Sequence, residues 1–271
     1  MRVTYIGHAT LLIEIGQQRI LTDPNFDDTL GRFLPRVSKP GIALGSLPTL
    51  DAILLTHAHA DHLSFQSLNQ LPRNIPLFAP PAVAAWLIRL GYAHARPLPA
   101  DGQATIGSVV IHAASAKHQG SRYSIDRWRS AANMYLLDTG NEACFFAGDT
   151  GLTTETHRVV AEIIHKQGRD LDVALLPIGH APWWKPGFRR GHLSPDDALQ
   201  LFERLRARYL VPYHWGTFNH VTSTAYDAIE RLRLLVDTHH RAEDVKILEP
   251  GHFLEHVPKN ANEHSAQSIA G

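Results

Sequence analysis

The stretch DAILLTHAHADH, residues 51–62, decides how this chain is read. Its first half, Asp51–Thr56, is a short apolar run rich in Ile and Leu, the pattern of a buried strand. Its second half sets four metal-binding side chain types, His57, His59, Asp61 and His62, within six residues. In extended backbone, positions i and i+2 point the same way, so His57 and His59 can share one ion. Asp61 and His62 then turn and can serve a second ion, with the small Ala58 and Ala60 leaving room. Imidazole and carboxylate donors suit zinc, iron or manganese. The bland alternative is a surface histidine cluster or a tag, but a tag would not follow a buried strand.

Three further donors stand in matching contexts, each where a strand hands over to a loop. His118 follows an expected strand at 109–114, Asp149 one at 143–147, and His214 one at 210–212. Two ions about 3.5–4 Å apart need that many ligands and usually a bridging carboxylate. Taken singly, each of these histidines reads as structural. Taken with the first cluster, the three complete a binuclear site.

The rest of the chain sets bounds. With 271 residues, one domain spanning residues 1–257 and a disordered polar tail at 258–271 are expected. Lys+Arg and Asp+Glu are both 26, so bulk charge does not grip nucleic acid. The single cysteine, Cys144, excludes an intrachain disulfide and a thiolate zinc cluster, and reads as a buried inert thiol. The first 16 residues alternate like a strand, not a signal peptide, and no run of 18 apolar residues exists; the expected compartment is the cytoplasm. There are 18 histidines against 6 lysines, and histidine is both the commonest metal ligand and the commonest general acid/base.

Apolar patterning predicts strands at 2–7, 10–16, 19–22, 51–56, 77–79, 109–114, 134–138, 143–147, 172–176, 210–212 and 246–248. Helices are expected at 64–71, 81–90, 153–167, from Ser194 to about 208, and 222–239. A long loop covers 24–50. The runs at 51–56 and 143–147 echo each other, each leading straight into metal-type side chains. That suits two similar halves packed sheet to sheet, helices outside and a site along one edge.

The string HAHADH, a later His118, GDTG at 148–151 and PYHWGTF at 212–218 together resemble the metallo-β-lactamase-fold hydrolases. The likeness runs from about residue 2 to 255. It implies an α/β fold, a four-layer αβ/βα sandwich with the metal site at one edge of the two sheets. The segments IGHATLLIEIGQQRILTDPNF, LPIGHAPWWKPGFRRGHLSPDDAL and VPYHWGTF look like the branch that holds N-acyl-phosphatidylethanolamine-hydrolysing phospholipase D and ascorbate-6-phosphate lactonase. The flanks of His118 and Arg122 depart from the phospholipase pattern.

The resemblance implies that His57, His59 and His118 bind a first ion. Asp61, His62 and His214 bind a second, and Asp149 bridges. Zinc is the first expectation, with manganese or iron admitted. Asp23, in LTDP, would orient a ligand, or would simply form an Asx turn before Pro24. His8 would make a structural hydrogen bond. The expected reaction is metal-dependent hydrolysis by a bridging hydroxide, with Asp61 taking the water's proton and His192 donating to the leaving group. The expected substrate is a small or lipid-derived phosphodiester; a lactone or other ester is the alternative, and an iron oxidoreductase or a nuclease stands further off. Trp183 and Trp184 in the loop 181–188 would wall a pocket, touch lipid peripherally, or simply pack. Residues 30–37 form a second flap, and Arg189 and Arg190 would bind phosphate or be surface charge.

Overall fold

The computed structural model describes residues 1–31, 34–123, 126–179, 189–219 and 223–257. The expected tail and Trp183 and Trp184 lie outside the described residues.

The strands are β1 (Arg2–Gly7), β2 (Thr10–Ile15), β3 (Gln18–Thr22), β4 (Thr29–Leu30), β5 (Leu34–Pro35), β6 (Ala52–Leu54), β7 (Leu77–Ala79), β8 (Ala95–Pro97), β9 (Gln103–Ile106), β10 (Val109–Ser115), β11 (Asn133–Asp138), β12 (Ala143–Phe146), β13 (Leu171–Pro177), β14 (Ala207–Tyr213) and β15 (Phe253–Glu255). The helices are α1 (Phe65–Leu68), α2 (Pro81–Arg89), α3 (Arg158–Ile163), α4 (Pro195–Arg204) and α5 (Asp227–Val236). One sheet has the order β15-β1-β2-β3-β6-β7-β8 and the other β14-β13-β12-β11-β10-β9.

The two sheets share a plan. In the first, the pairs from β15 to β3 are antiparallel and those from β3 to β8 parallel. In the second, β9 to β12 are antiparallel and β12 to β14 parallel. The echo between 51–56 and 143–147 is therefore architectural: β6 and β12 both lie in the parallel halves. Alternation sorts their neighbours into layers. Leu11, Ile13, Ile20 and Leu54 join the core shared with the second sheet. Leu12, Leu21, Ile53 and Leu77 face Leu68, Val83 and Leu87 of α1 and α2. On the second sheet, Leu201 and Phe202 of α4 and Val160 of α3 join the shared core. Strands covered on both faces read as continuous apolar runs, which is why β6, β12 and β13 were legible. The fold is the α/β sandwich that the resemblance implied, and Cys144 is fully buried.

Several expected elements are corrected. The helix at 153–167 is broken into two 3₁₀ turns, Glu155–His157 and His165–Gln167, around the six-residue α3. The hydroxyl of Thr156 accepts the Thr153 N–H and donates to the Gly151 carbonyl, competing with the helix ladder. The helix at 64–71 is the four-residue α1. The helix from Ser194 stops at Arg204, because Arg206 turns left-handed (φ 48°) and β14 begins at Ala207. The helix at 222–239 shortens to α5. Lys246–Leu248 is not a strand: a bridge from Val245 to Leu210 forms there, and the last strand among the described residues is β15. The short strands β8, β9 and β15 escaped the pattern because they carry exposed residues. Among the described residues no helix is long and apolar enough to cross a membrane.

Candidate metal centre

The backbone first brings the donors together. The parallel strands β6, β12 and β14 end on one edge, and the turns after them carry His57–His62, Asp149 and His214. Ligand sites in open α/β sheets gather at such carboxyl ends. The two sheets are stitched there by Asn133 N–H to the Thr56 carbonyl (2.9 Å), Ala58 N–H to the Gly120 carbonyl (2.9 Å) and the Tyr135 hydroxyl to the Leu55 carbonyl (2.7 Å). Close approach demands glycine twice. A Cβ on Gly148 (φ 56°) would lie 2.7 Å from Thr56, and one on Gly179 would lie 2.1 Å from Nδ1 of His214.

The donors fall into two groups that meet at Asp149. In the first, His59 Nδ1 lies 3.0 Å from His57 Nε2 and 3.1 Å from His118 Nε2. In the second, His62 Nε2 and His214 Nε2 are 3.3 Å apart, and each is 3.6 Å from Asp61 Oδ2. Asp149 Oδ2 is 3.3 Å from His62 and 3.4 Å from His214. Asp149 Oδ2 also lies 3.5 Å from His192 Nε2, and the His192 ring sits edge-on to that of His118, with centroids 4.8 Å apart. All seven expected ligands and His192 thus stand at one edge.

The rings are aimed from behind. Thr56 donates its hydroxyl to Asp23 Oδ2 (2.7 Å), so its oxygen can only accept at His57 Nδ1 (2.8 Å), which therefore carries the proton. His62 Nδ1 donates to Asp23 Oδ2 (2.8 Å), and His118 Nδ1 donates to the Gly191 carbonyl (2.8 Å). Each turns its Nε2 toward the cluster, the nitrogen a metal would take. Asp23, fully buried, also accepts the Thr56 N–H (2.8 Å), so it orients ligands instead of forming only an Asx turn.

His8 makes the expected hydrogen bond, and its partner is a candidate ligand. Its Nε2 is 3.0 Å from Asp61 Oδ2 and its ring centroid 3.9 Å from that of His214. Its carbonyl accepts the His214 N–H (2.9 Å), and its own N–H donates to the Tyr5 hydroxyl (3.1 Å). His8, Asp23 and His214 all hold positive φ (56°, 35° and 69°), conformations that cost a non-glycine residue free energy and gather at functional sites.

Electrostatics separate the groups. Burial first, then the neighbouring imidazoles, holds His57 well below its ordinary pKa; burial, despite Asp149, pushes His118 down to about 3. These rings are neutral. Burial also opposes charge on His62 and His214, but Asp149 and Asp61 outweigh it, raising His62 well above its ordinary value and His214 to about 9. Burial raises the Asp61 and Asp149 carboxyls, yet His62 and His214 hold both well below the carboxylate range. Two carboxylates and two imidazolium protons therefore share a buried edge, the balance a cation would take over. Asp149 Oδ1 is buried with no hydrogen-bond partner, a lone pair left for such a cation. The donor set fits divalent metal ions.

Other expectations are placed less centrally. Arg122 Nη1 donates to the Leu63 carbonyl (2.6 Å), holding the far end of the donor turn. Arg189 lies 3.8 Å from Asp197, and Arg190 is exposed. In the 30–37 flap, Arg36 and Val37 pair with Phe218 and Thr217; Arg32 and Phe33 lie outside the described residues.

Comparison with known proteins agrees. Residues 18–215 match the family described as Beta-lactamase superfamily domain. The chain is 26% identical to N-acyl-phosphatidylethanolamine-hydrolyzing phospholipase D 1 of Caenorhabditis elegans, over 90% of this chain and 72% of that protein. It is 29% identical to a UPF0173 metal-dependent hydrolase of Heliobacterium modesticaldum, over 80% and 84% of the two. The chain spans between 51% and 72% of the length of the first curated relatives it matches. An isothiocyanate hydrolase from Delia radicum gut bacteria shares the fold, with a TM-score of 0.75 at 20% identity over 94% of this chain and 99% of that one. With a buried His/Asp edge on a two-sheet sandwich, the chain belongs to the beta-lactamase superfamily domain family, as a metal-dependent hydrolase of the metallo-β-lactamase fold.

Proposed function

We propose that the chain is a binuclear hydrolase of phosphodiesters, acting in the manner of phospholipase D on a small or lipid-derived substrate. The observation that carries this reading is the pair of donor groups sharing Asp149, with Nε2 of His57, His62 and His118 aimed into the cluster. His57, His59 and His118 would hold one ion, Asp61, His62 and His214 the other, and Asp149 both. Zinc is the proposed metal, with manganese and iron chemically admissible. Such ions supply Lewis acidity and bring the pKa of a shared water to about 7.

The chain's own groups do the rest. Asp61 stays ionised, is fixed by His8, and accepts a proton from the attacking water. His192, at the rim beside Asp149, delivers a proton to the departing oxygen. The phosphodiester assignment draws on the relative named a phospholipase D, together with the complete second donor group. The test is hydrolysis of a chromogenic phosphodiester by protein loaded with zinc or manganese, with Asp61→Ala as control. Turnover that disappears in the variant supports the reading. No turnover by protein shown to carry two ions overturns it in favour of a lactone or other ester.

A further inference from the structure

We infer that Asn25 is a positioning residue for the Asp61 side of the site: its amide fixes the turn that aims Asp61, and Arg36 fixes the amide. This rests on the metal-centre reading above. The turn 57–62 carries four donor side chains but belongs to no strand or helix, so its carbonyls need partners from elsewhere. Asn25, almost fully buried, supplies two: its Nδ2 donates to the carbonyls of Ala60 (3.1 Å) and Asp61 (3.2 Å).

The amide has one allowed orientation. Asn25 Oδ1 accepts the Asp27 N–H (3.1 Å) and Arg36 Nη2 (3.3 Å). A flipped amide would set oxygen against two carbonyls and nitrogen against two donors. Arg36 completes the grip, with Nη2 on the Asn25 carbonyl (2.7 Å) and Nε on the Asp27 carbonyl (2.8 Å). Its guanidinium also lies 5.0 Å over the ring of Phe218, four residues past His214, and that ring sits edge-on to His8 at 5.5 Å. The device therefore braces Asp61 and the chain beyond His214. The other group rests on other partners, the Thr56 hydroxyl behind His57 and the Gly191 carbonyl behind His118.

The selectivity is the test. Asn25→Asp keeps the shape and the Oδ1 contacts but replaces the amide donor with an oxygen facing two carbonyls. Asn25→Ala removes the donor without adding charge and serves if the carboxylate unfolds the turn. Zinc is counted by metal analysis and titrated by competition with a chelator, cobalt absorption reads the ligand field, and thermal melting reads the fold. The expected result is one ion bound ~10–100-fold more weakly, the other unchanged, an altered cobalt spectrum and a retained cooperative melt. Wild-type affinity for both ions in the variants overturns the proposal. So does loss of both ions together, or of folding in both variants, which would make Asn25 a general fold residue. A wild-type protein that binds no ion refutes the metal-centre reading itself, a separate result.

Discussion

Two histidine clusters invite comparison, the central one and a peripheral one formed by Glu203, His239 and His240. Their donor spacings overlap: Glu203 Oε1 lies 3.6 Å from His239 Nε2 and 3.5 Å from His240 Nε2. Each also holds a buried carboxylate oxygen with no hydrogen-bond partner, Asp149 Oδ1 and Glu203 Oε1. What stands behind the rings differs. In the centre, Nδ1 of His57, His62 and His118 each donates, which turns Nε2 toward the cluster. At the periphery, His239 Nδ1 accepts the Arg241 N–H (3.2 Å), so the neutral ring carries its proton on Nε2, facing Glu203. His240 is 72% exposed. Donor spacing alone therefore does not make a metal site; the tautomer set by the partner behind each ring does.

The comparison can be broken at its strongest point first. Asp149→Ala should remove at least one ion and lower hydrolysis by roughly 10²–10³-fold, on the scale of losing one transition-state contact; unchanged metal content in that variant would refute the shared-carboxylate role. Asp23→Asn comes next. The amide would turn an N–H toward His62 Nδ1 or lose the Thr56 contacts, so zinc affinity should fall by ~10–100-fold in chelator competition while the fold persists.

The charge pattern gives a third prediction. Ion-free His62 and His214 carry protons that metal must displace, whereas His57 and His118 are already neutral. At pH 7, occupation of the Asp61 side should release about two protons and the other side almost none. Calorimetry in buffers of different ionisation enthalpy reads this. Below about 9, the raised value of His214, affinity on the Asp61 side should fall as pH falls. A pH-independent affinity would show that the protons lie elsewhere. The smallest effect belongs to the periphery. His240→Ala should leave the ion count unchanged and shift stability by no more than ~0.5 kcal/mol. A lost ion there would erase the distinction between the clusters.

Much of this was legible in sequence because the signals are local. Asp51–His62 reads as strand and donors through alternation over twelve residues, and GDTG and PYHWG carry their glycines and donors together. The start of α4 at Ser194 was equally plain, and there the structure adds a capping box in which Ser194 and Asp197 bond reciprocally. The helix expected at 153–167 failed because Thr156 bonds back to Gly151, a choice that apolar periodicity does not register. Asn25 and Arg36 were missed altogether. Nothing in PNF or LPRV announces an amide aimed 36 residues ahead, though the adjacent Asp23-Pro24 was a hint.

Sequence by itself determined which side chains could take a metal and that they end strands, since ligand chemistry and strand alternation are properties of neighbouring residues. Tertiary structure alone decided which nitrogen each ring presents. For His62 and His118 that choice depends on a hydrogen bond to a partner far along the chain, 39 residues from His62 to Asp23 and 73 from His118 to Gly191. Only folding brings such partners to 2.8 Å, and only then is the imidazole proton fixed on the side away from the site.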